Sequence, residues 1–184
     1  MDKSSIKYLW LIPLCICLLN VGQANAIFMK FTNITCDSKY KNLATVEYCY
    51  IGQVDQLQNY MSLRYKIFEP IKRELFFHFR LMIRRNGWKP YLYASDIDMC
   101  RFWKSRYNGL AKLILGFLDG HTNMNHSCPY NENYIYIDRV MNTDISKRLP
   151  ALPLGKGHYA LFTRWSWKNV TRTLSNIYIE VTND

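Results

Sequence analysis

The chain has 184 residues and a formal net charge of +10, from 24 Lys and Arg against 14 Asp and Glu. That length suits one domain with its own core. Its sequence carries no repeat, linker or low-complexity run, which excludes a repeat array or a tethered multi-domain chain.

The first 26 residues have the order of a secretory signal. Lys3 and Lys7 form a positive start, and Tyr8 to Val21 is apolar and uncharged. Ala24-Asn25-Ala26 gives a small-x-small cleavage site. The apolar stretch is shorter than the roughly 20 residues that span a bilayer. Cleavage after Ala26 is therefore expected, leaving residues 27–184 as a single secreted, extracellular domain with a charge of about +9. No later segment is apolar and long enough to serve as a second span.

Export gives meaning to the remaining cysteines. Cys36, Cys49, Cys100 and Cys128 are an even number in an oxidising compartment and allow three connectivities. The two sequence-local pairings, Cys36–Cys49 and Cys100–Cys128, are expected. Asn33, Asn125 and Asn169 each head an N-x-[ST] triplet and are candidate glycosylation sites. The basic balance favours acidic glycans or an anionic membrane surface, whereas export argues against nucleic acid. The basic residues are scattered, densest at Arg80, Arg84, Arg85 and Lys89, so most of them read as solvated surface.

Period-2 alternation runs along most of the chain and predicts strands. Ile27–Thr35 and Leu43–Gly52 are short candidates. In Leu57–Phe68, the residues Leu57, Met61, Leu63, Tyr65 and Ile67 share one face. In Arg73–Arg84, Leu75, Phe77, Phe79, Leu81 and Ile83 alternate with Glu74, His78, Arg80 and Arg84. Asn86-Gly87 follows and predicts a type I′ hairpin turn into a strand over Pro90–Ile97, with Tyr91, Tyr93 and Ile97 on one face. Arg101–Leu118 changes period: Phe102, Trp103, Arg106, Tyr107, Leu110, Leu113, Ile114 and Phe117 recur at three- and four-residue steps, as in one amphipathic helix weakened at Gly109 and Gly116. Tyr134–Asp138, Gly157–Ser166 and Arg172–Thr182 return to strand patterning. Tyr159, Leu161 and Trp165 share one face of the second, and Ile177, Ile179 and Val181 one face of the third. The expected class is all-β: two packed antiparallel sheets, a β-sandwich, with one inserted helix at about 101–118. A closed barrel is the second arrangement.

Three motifs then carry a family resemblance. Pro90-Tyr91-Leu92-Tyr93 leads into Asp96-Ile97-Asp98-Met99-Cys100-Arg101-Phe102. Asn123-Met124-Asn125-His126-Ser127-Cys128-Pro129-Tyr130 comes next, and Leu152-Pro153 runs to Gly157-His158-Tyr159. With the opening Phe31-Thr32-Asn33-Ile34-Thr35-Cys36, they resemble a large insect-specific group of secreted domains that includes the chemosensory B-type proteins. That group is similar to the ML lipid-recognition superfamily, to which the ganglioside activator belongs. The resemblance implies an immunoglobulin-like β-sandwich that opens to hold a lipid between its sheets. It also implies a role in perceiving or carrying hydrophobic signals such as cuticular-hydrocarbon pheromones. The family pattern often places a second proline before the Gly-x-Tyr element; this chain has Gly155 there, which loosens the turn.

The candidate ligand-lining residues are Phe77, Phe79, Leu81, Tyr93, Leu161, Trp165, Ile177 and Ile179. Plain core packing uses the same residues, and the two readings differ only in whether the sheets are held apart. Trp88, Trp165 and Trp167 are candidates for a cavity rim. Catalytic and metal readings are weaker. Asp96 and Asp98 stand two apart on a predicted strand, but the strand ends there before a helix, where Asp caps or turns. His121, His126 and Cys128 share a loop, yet Cys128 reads as half of a disulfide and two histidines make a poor metal site. No G-x-S-x-G elbow or glycine-rich phosphate loop is present. The expected function is non-enzymatic binding of a hydrophobic small molecule, with no cofactor and no metal. The alternative is an interaction module for a receptor ectodomain or an acidic glycan.

Overall fold

The computed structural model describes residues 27–183; the expected signal peptide, residues 1–26, lies outside them. Eight strands form two antiparallel sheets, with short helices inserted between strands. The larger sheet orders β1 (Ile27–Ser38), β8 (Val170–Asn183), β7 (Gly157–Trp167), β4 (Phe76–Arg85) and β5 (Gly87–Asp98) as β1-β8-β7-β4-β5. The smaller orders β2 (Ala44–Gln53), β3 (Asn59–Ile67) and β6 (Tyr134–Met141) as β2-β3-β6. The two sheets are separate, not hydrogen-bonded into a barrel.

Alternation decides which side of each strand is covered. On β4, Phe77, Phe79 and Leu81 are buried while Arg80 and Arg84 are exposed. On β3, Met61, Leu63, Tyr65 and Ile67 are buried, but Leu57 is 67% exposed because the strand begins only at Asn59. Tyr65 connects the sheets: its hydroxyl donates to Leu174 O at 2.7 Å and meets Ser175 Oγ at 2.9 Å on β8. Burial pushes its phenol pKa from the ordinary 10.0 up to about 12. Between those values the unfolded chain loses this proton and the folded chain keeps it, so stability falls as pH rises from about 10 to 12. The loss should reach about 2–3 kcal/mol, at about 1.4 kcal/mol per unit. Urea unfolding across that range checks it; Tyr65→Phe should flatten the slope.

The β4–β5 hairpin forms, but its turn is not type I′. Arg85 pairs directly with Gly87 around Asn86, and in this tight reversal only Gly87 takes a positive φ, of 93°. A second glycine matters for close approach. On β2, a Cβ at Gly52 would fall 2.2 Å from the ring of Tyr60, so that ring can lie against the strand only over a glycine.

The single helix predicted over Arg101–Leu118 is two helices, α1 (Met99–Ser105) and α2 (Gly109–Gly116). Asp98 caps α1, accepting Arg101 N–H at 3.1 Å. Arg106 then turns left-handed at φ 48°, its N–H closing on Phe102 O at 2.7 Å. Its guanidinium sits 3.8 Å over the Trp103 ring. Asn108 starts α2 by accepting Ala111 N–H at 2.9 Å. Asn108→Ala should cost about 1 kcal/mol, the usual loss of a side-chain cap; thermal unfolding tests this.

A further helix, α3 (Asn142–Arg148), continues into a 3-10 turn at Leu149–Ala151 and was not expected from the sequence. Asp144 lies in its first turn and Lys147 and Arg148 in its last, the charge order a helix dipole favours. Asn142, fully buried, accepts Asn59 N–H at 2.9 Å and donates to Met29 O and Leu57 O, both at 2.9 Å. Asn59, also buried, donates to Phe31 O at 2.7 Å. These two amides join α3, β1 and β3.

Candidate functional site: an apolar cavity between the sheets

The faces of the two sheets do not close completely on each other. Between them lies a cavity of about 140 Å³. The larger sheet contributes Phe77 and Leu81 from β4, Tyr93 from β5, Leu161 and Trp165 from β7, and Ile177 and Ile179 from β8. The smaller sheet supplies Met61, Leu63 and Tyr65 from β3 and Ile135 and Ile137 from β6. One end is walled by Ile114 of α2, Phe117 and Leu118 just beyond it, Ile145 of α3 and Leu149, Leu152 and Leu154. Arg148 ties these walls together by donating from its guanidinium to Gly116 O.

Most of the few polar groups at the cavity are engaged within the protein. Tyr65 is bonded as described. Thr163 donates its hydroxyl to Ser175 O at 2.7 Å. Trp167 donates its indole N–H to Glu69 at 3.2 Å, and the Lys168 ammonium beside that carboxylate holds it below the usual range. The interior therefore presents hydrocarbon and aromatic surface.

Of the eight candidate lining residues, Phe79 alone is not on the cavity wall; it is buried beside Phe77, ring centroids 5.6 Å apart. Trp165 and Trp167 reach the cavity, and Trp165 stacks on Phe77 at 4.4 Å. Trp88 does not: it lies on the opposite, outer face of the larger sheet against Tyr178 and Phe162. The walls supplied by the smaller sheet were not among the candidate lining residues, although Met61, Leu63 and Tyr65 share one predicted strand face; of the helix walls, Ile114 and Phe117 belong to the predicted amphipathic stripe. The strand contributions were open to the same period-2 argument, whereas the helix contributions depend on tertiary placement.

The disulfides are Cys36–Cys49 and Cys100–Cys128. The first links β1 to β2, and so one sheet to the other, with Cα atoms 6.2 Å apart. The second fastens α1 to the loop that carries Tyr130. Asn33, Asn125 and Asn169 are all exposed.

Asp96 and Asp98 do not act as a pair. Asp98 is the α1 cap, and Asp96 contacts His78 Nδ1 at 2.5 Å. His78 Nε2 in turn meets Ser166 Oγ at 2.9 Å, a Ser–His–Asp line that the sequence reading missed. The line crosses β7, β4 and β5 on the outer face, and its carboxylate is 74% exposed. An orienting carboxylate in a hydrolytic triad is buried against its imidazole; here the line serves to cross-bridge strands. Cys128 is taken by its disulfide, His121 contacts Asp138 O at 2.9 Å, and His126 lies against the Tyr130 ring. Among the described residues no group of three or more His, Cys, Asp or Glu is placed to hold a metal, and no helix is long and apolar enough to cross a membrane.

Residues 77–161 are similar to a family described as a protein of unknown function, DUF1091. The matched stretch runs from β4 into β7 and includes Phe77, Leu81, Tyr93 and Leu161 of the cavity wall. No curated protein matches the chain.

Proposed function

We propose that the chain is a secreted, non-enzymatic protein that holds a small hydrophobic ligand between the two sheets of an immunoglobulin-like sandwich, in the service of chemosensory signalling. The observation that carries this reading is the cavity: apolar on all sides, contributed by both sheets, and walled at one end by short helices. At about 140 Å³ it is close in size to an engineered apolar cavity of about 150 Å³ that stays dry and accepts benzene. Each methylene group buried there is worth about 0.8 kcal/mol before the cost of immobilising the ligand. A longer ligand would place only one apolar end inside, or would move the α2 and α3 walls outward.

The test is to express the full chain in insect cells, collect the medium, and run native mass spectrometry followed by organic extraction. A secreted protein beginning at Ile27 with a stoichiometric apolar adduct is the expected result. Retention of Met1 would refute export. A mature protein without adduct, and unable to take up fluorescent fatty-acid or hydrocarbon probes, would refute ligand carriage and favour a receptor- or glycan-binding module.

A further inference from the structure

The outer face of the larger sheet carries a second recess, of about 530 Å³, on the side away from the apolar cavity. Arg80 of β4 and Arg164 of β7 line it together with His78, Ser95, Phe162 and Asn176. The register sets Arg80 opposite Phe162 and Arg164 opposite His78, so the two guanidinium groups are diagonal neighbours on adjacent strands. Like charges on neighbouring strands repel. Neither arginine is in an ion pair among the described residues. The one carboxylate at the recess, Asp96, is engaged by His78. Beside it, Phe162, Tyr178 and Trp88 form a cluster with ring centroids 5.4–6.3 Å apart, and Arg84 adds a third cation near Trp88.

We infer that this face is a binding site for an acidic sugar chain, with Arg80 and Arg164 gripping a sulfate or carboxylate group. Guanidinium forks match the planar or tetrahedral oxyanions of such chains, and an oxyanion between them removes the repulsion. The aromatic cluster next to the recess offers ring faces to the apolar side of a sugar. The recess and the mutually packed, half-buried rings fit a chain lying along the sheet better than a bilayer, which requires projecting apolar side chains. The site is separate from the cavity and does not depend on it.

The test is calorimetric titration of the full secreted protein with a heparin hexasaccharide at low and physiological salt. Arg80→Gln/Arg164→Gln is compared with Lys66→Gln/Lys112→Gln, which removes the same charge from exposed positions elsewhere. The arginine variant should lose at least about tenfold in affinity and the lysine variant less than about twofold, since specific charge contacts outweigh distant ones. Both variants should keep wild-type uptake of apolar probes. Equal losses in the two variants, no binding by the wild type, or competition by inorganic sulfate as effective as the hexasaccharide would each overturn the proposal. Equally strong, equally Arg80-dependent binding to phosphatidylserine vesicles would overturn the assignment to a sugar chain.

Discussion

Replacing Asn142 with alanine is expected to destabilise the protein by about 3–5 kcal/mol, because it orphans several hydrogen-bonding groups at once. The amide oxygen receives Asn59 N–H, and the amide nitrogen serves Met29 O and Leu57 O. Asn59 and Met29 are each about 1% exposed, so water cannot replace the lost partner there. Leu57 is at a surface turn, where its carbonyl can be rehydrated, and this keeps the cost from being threefold that of a single orphan. For a chain of this size the change is a drop of roughly 6–20 °C in melting temperature, at about 2–4 °C per kcal/mol. Asn142→Asp should do no better: it keeps the acceptor for Asn59, loses both donors and buries a charge. Thermal and urea denaturation of the two variants test this. A loss under about 1 kcal/mol for the alanine variant would mean that the network contributes little beyond what solvent supplies.

Filling the cavity should cost ligand uptake far more than it costs the fold. Leu161 lines the wall on β7 and faces Leu81 on one neighbouring strand and Ile177 on the other. Leu161→Trp adds an indole to a space about the size of one that holds a single benzene. Affinity for a fluorescent hydrocarbon probe should fall at least about tenfold, which is 1.4 kcal/mol. Unfolding free energy should shift by no more than about 1–3 kcal/mol, the range of overpacking in a well-packed core. Undiminished uptake by this variant would place the probe somewhere other than between the sheets.

The strands were the most legible part of the sequence. Phe77, Phe79 and Leu81 alternate with His78 and Arg80 because every second residue of a strand faces the same way, and that regularity survives in one dimension. The cysteine pairs were legible because Cys36, Cys49, Cys100 and Cys128 allow few pairings, and the two sequence-local ones are those that form. The break at Arg106 was hidden for a physical reason. Phe102, Leu110 and Phe117 keep helical spacing across two short helices, and no residue type announces an arginine in left-handed geometry. Asn108 before Gly109 was the available signal, a capping residue placed where a second helix could begin. Helix α3 lacked any capping side chain at Met141, so only Asp144 and the paired Lys147 and Arg148 pointed to it. The Asn59–Asn142 contact and the Ser166–His78–Asp96 line join residues 83 and 88 positions apart at their widest, and local patterning does not encode such separations.

The Cys36–Cys49 bond joins β1 to β2, one margin of each sheet. The opposite margins, β5 and β6, have no such link among the described residues; α1 packs against β5, and α3 and the loop at Thr122 against β6. A pair of sheets tethered along one side moves like a book held at its spine. Thermal breathing should then be one-sided, with amide hydrogens on β5 and β6 exchanging with solvent sooner than those on β1 and β2. A guest held there as proposed would leave past the fore-edge, and the elements at that margin, not the covalent spine, would set its residence time.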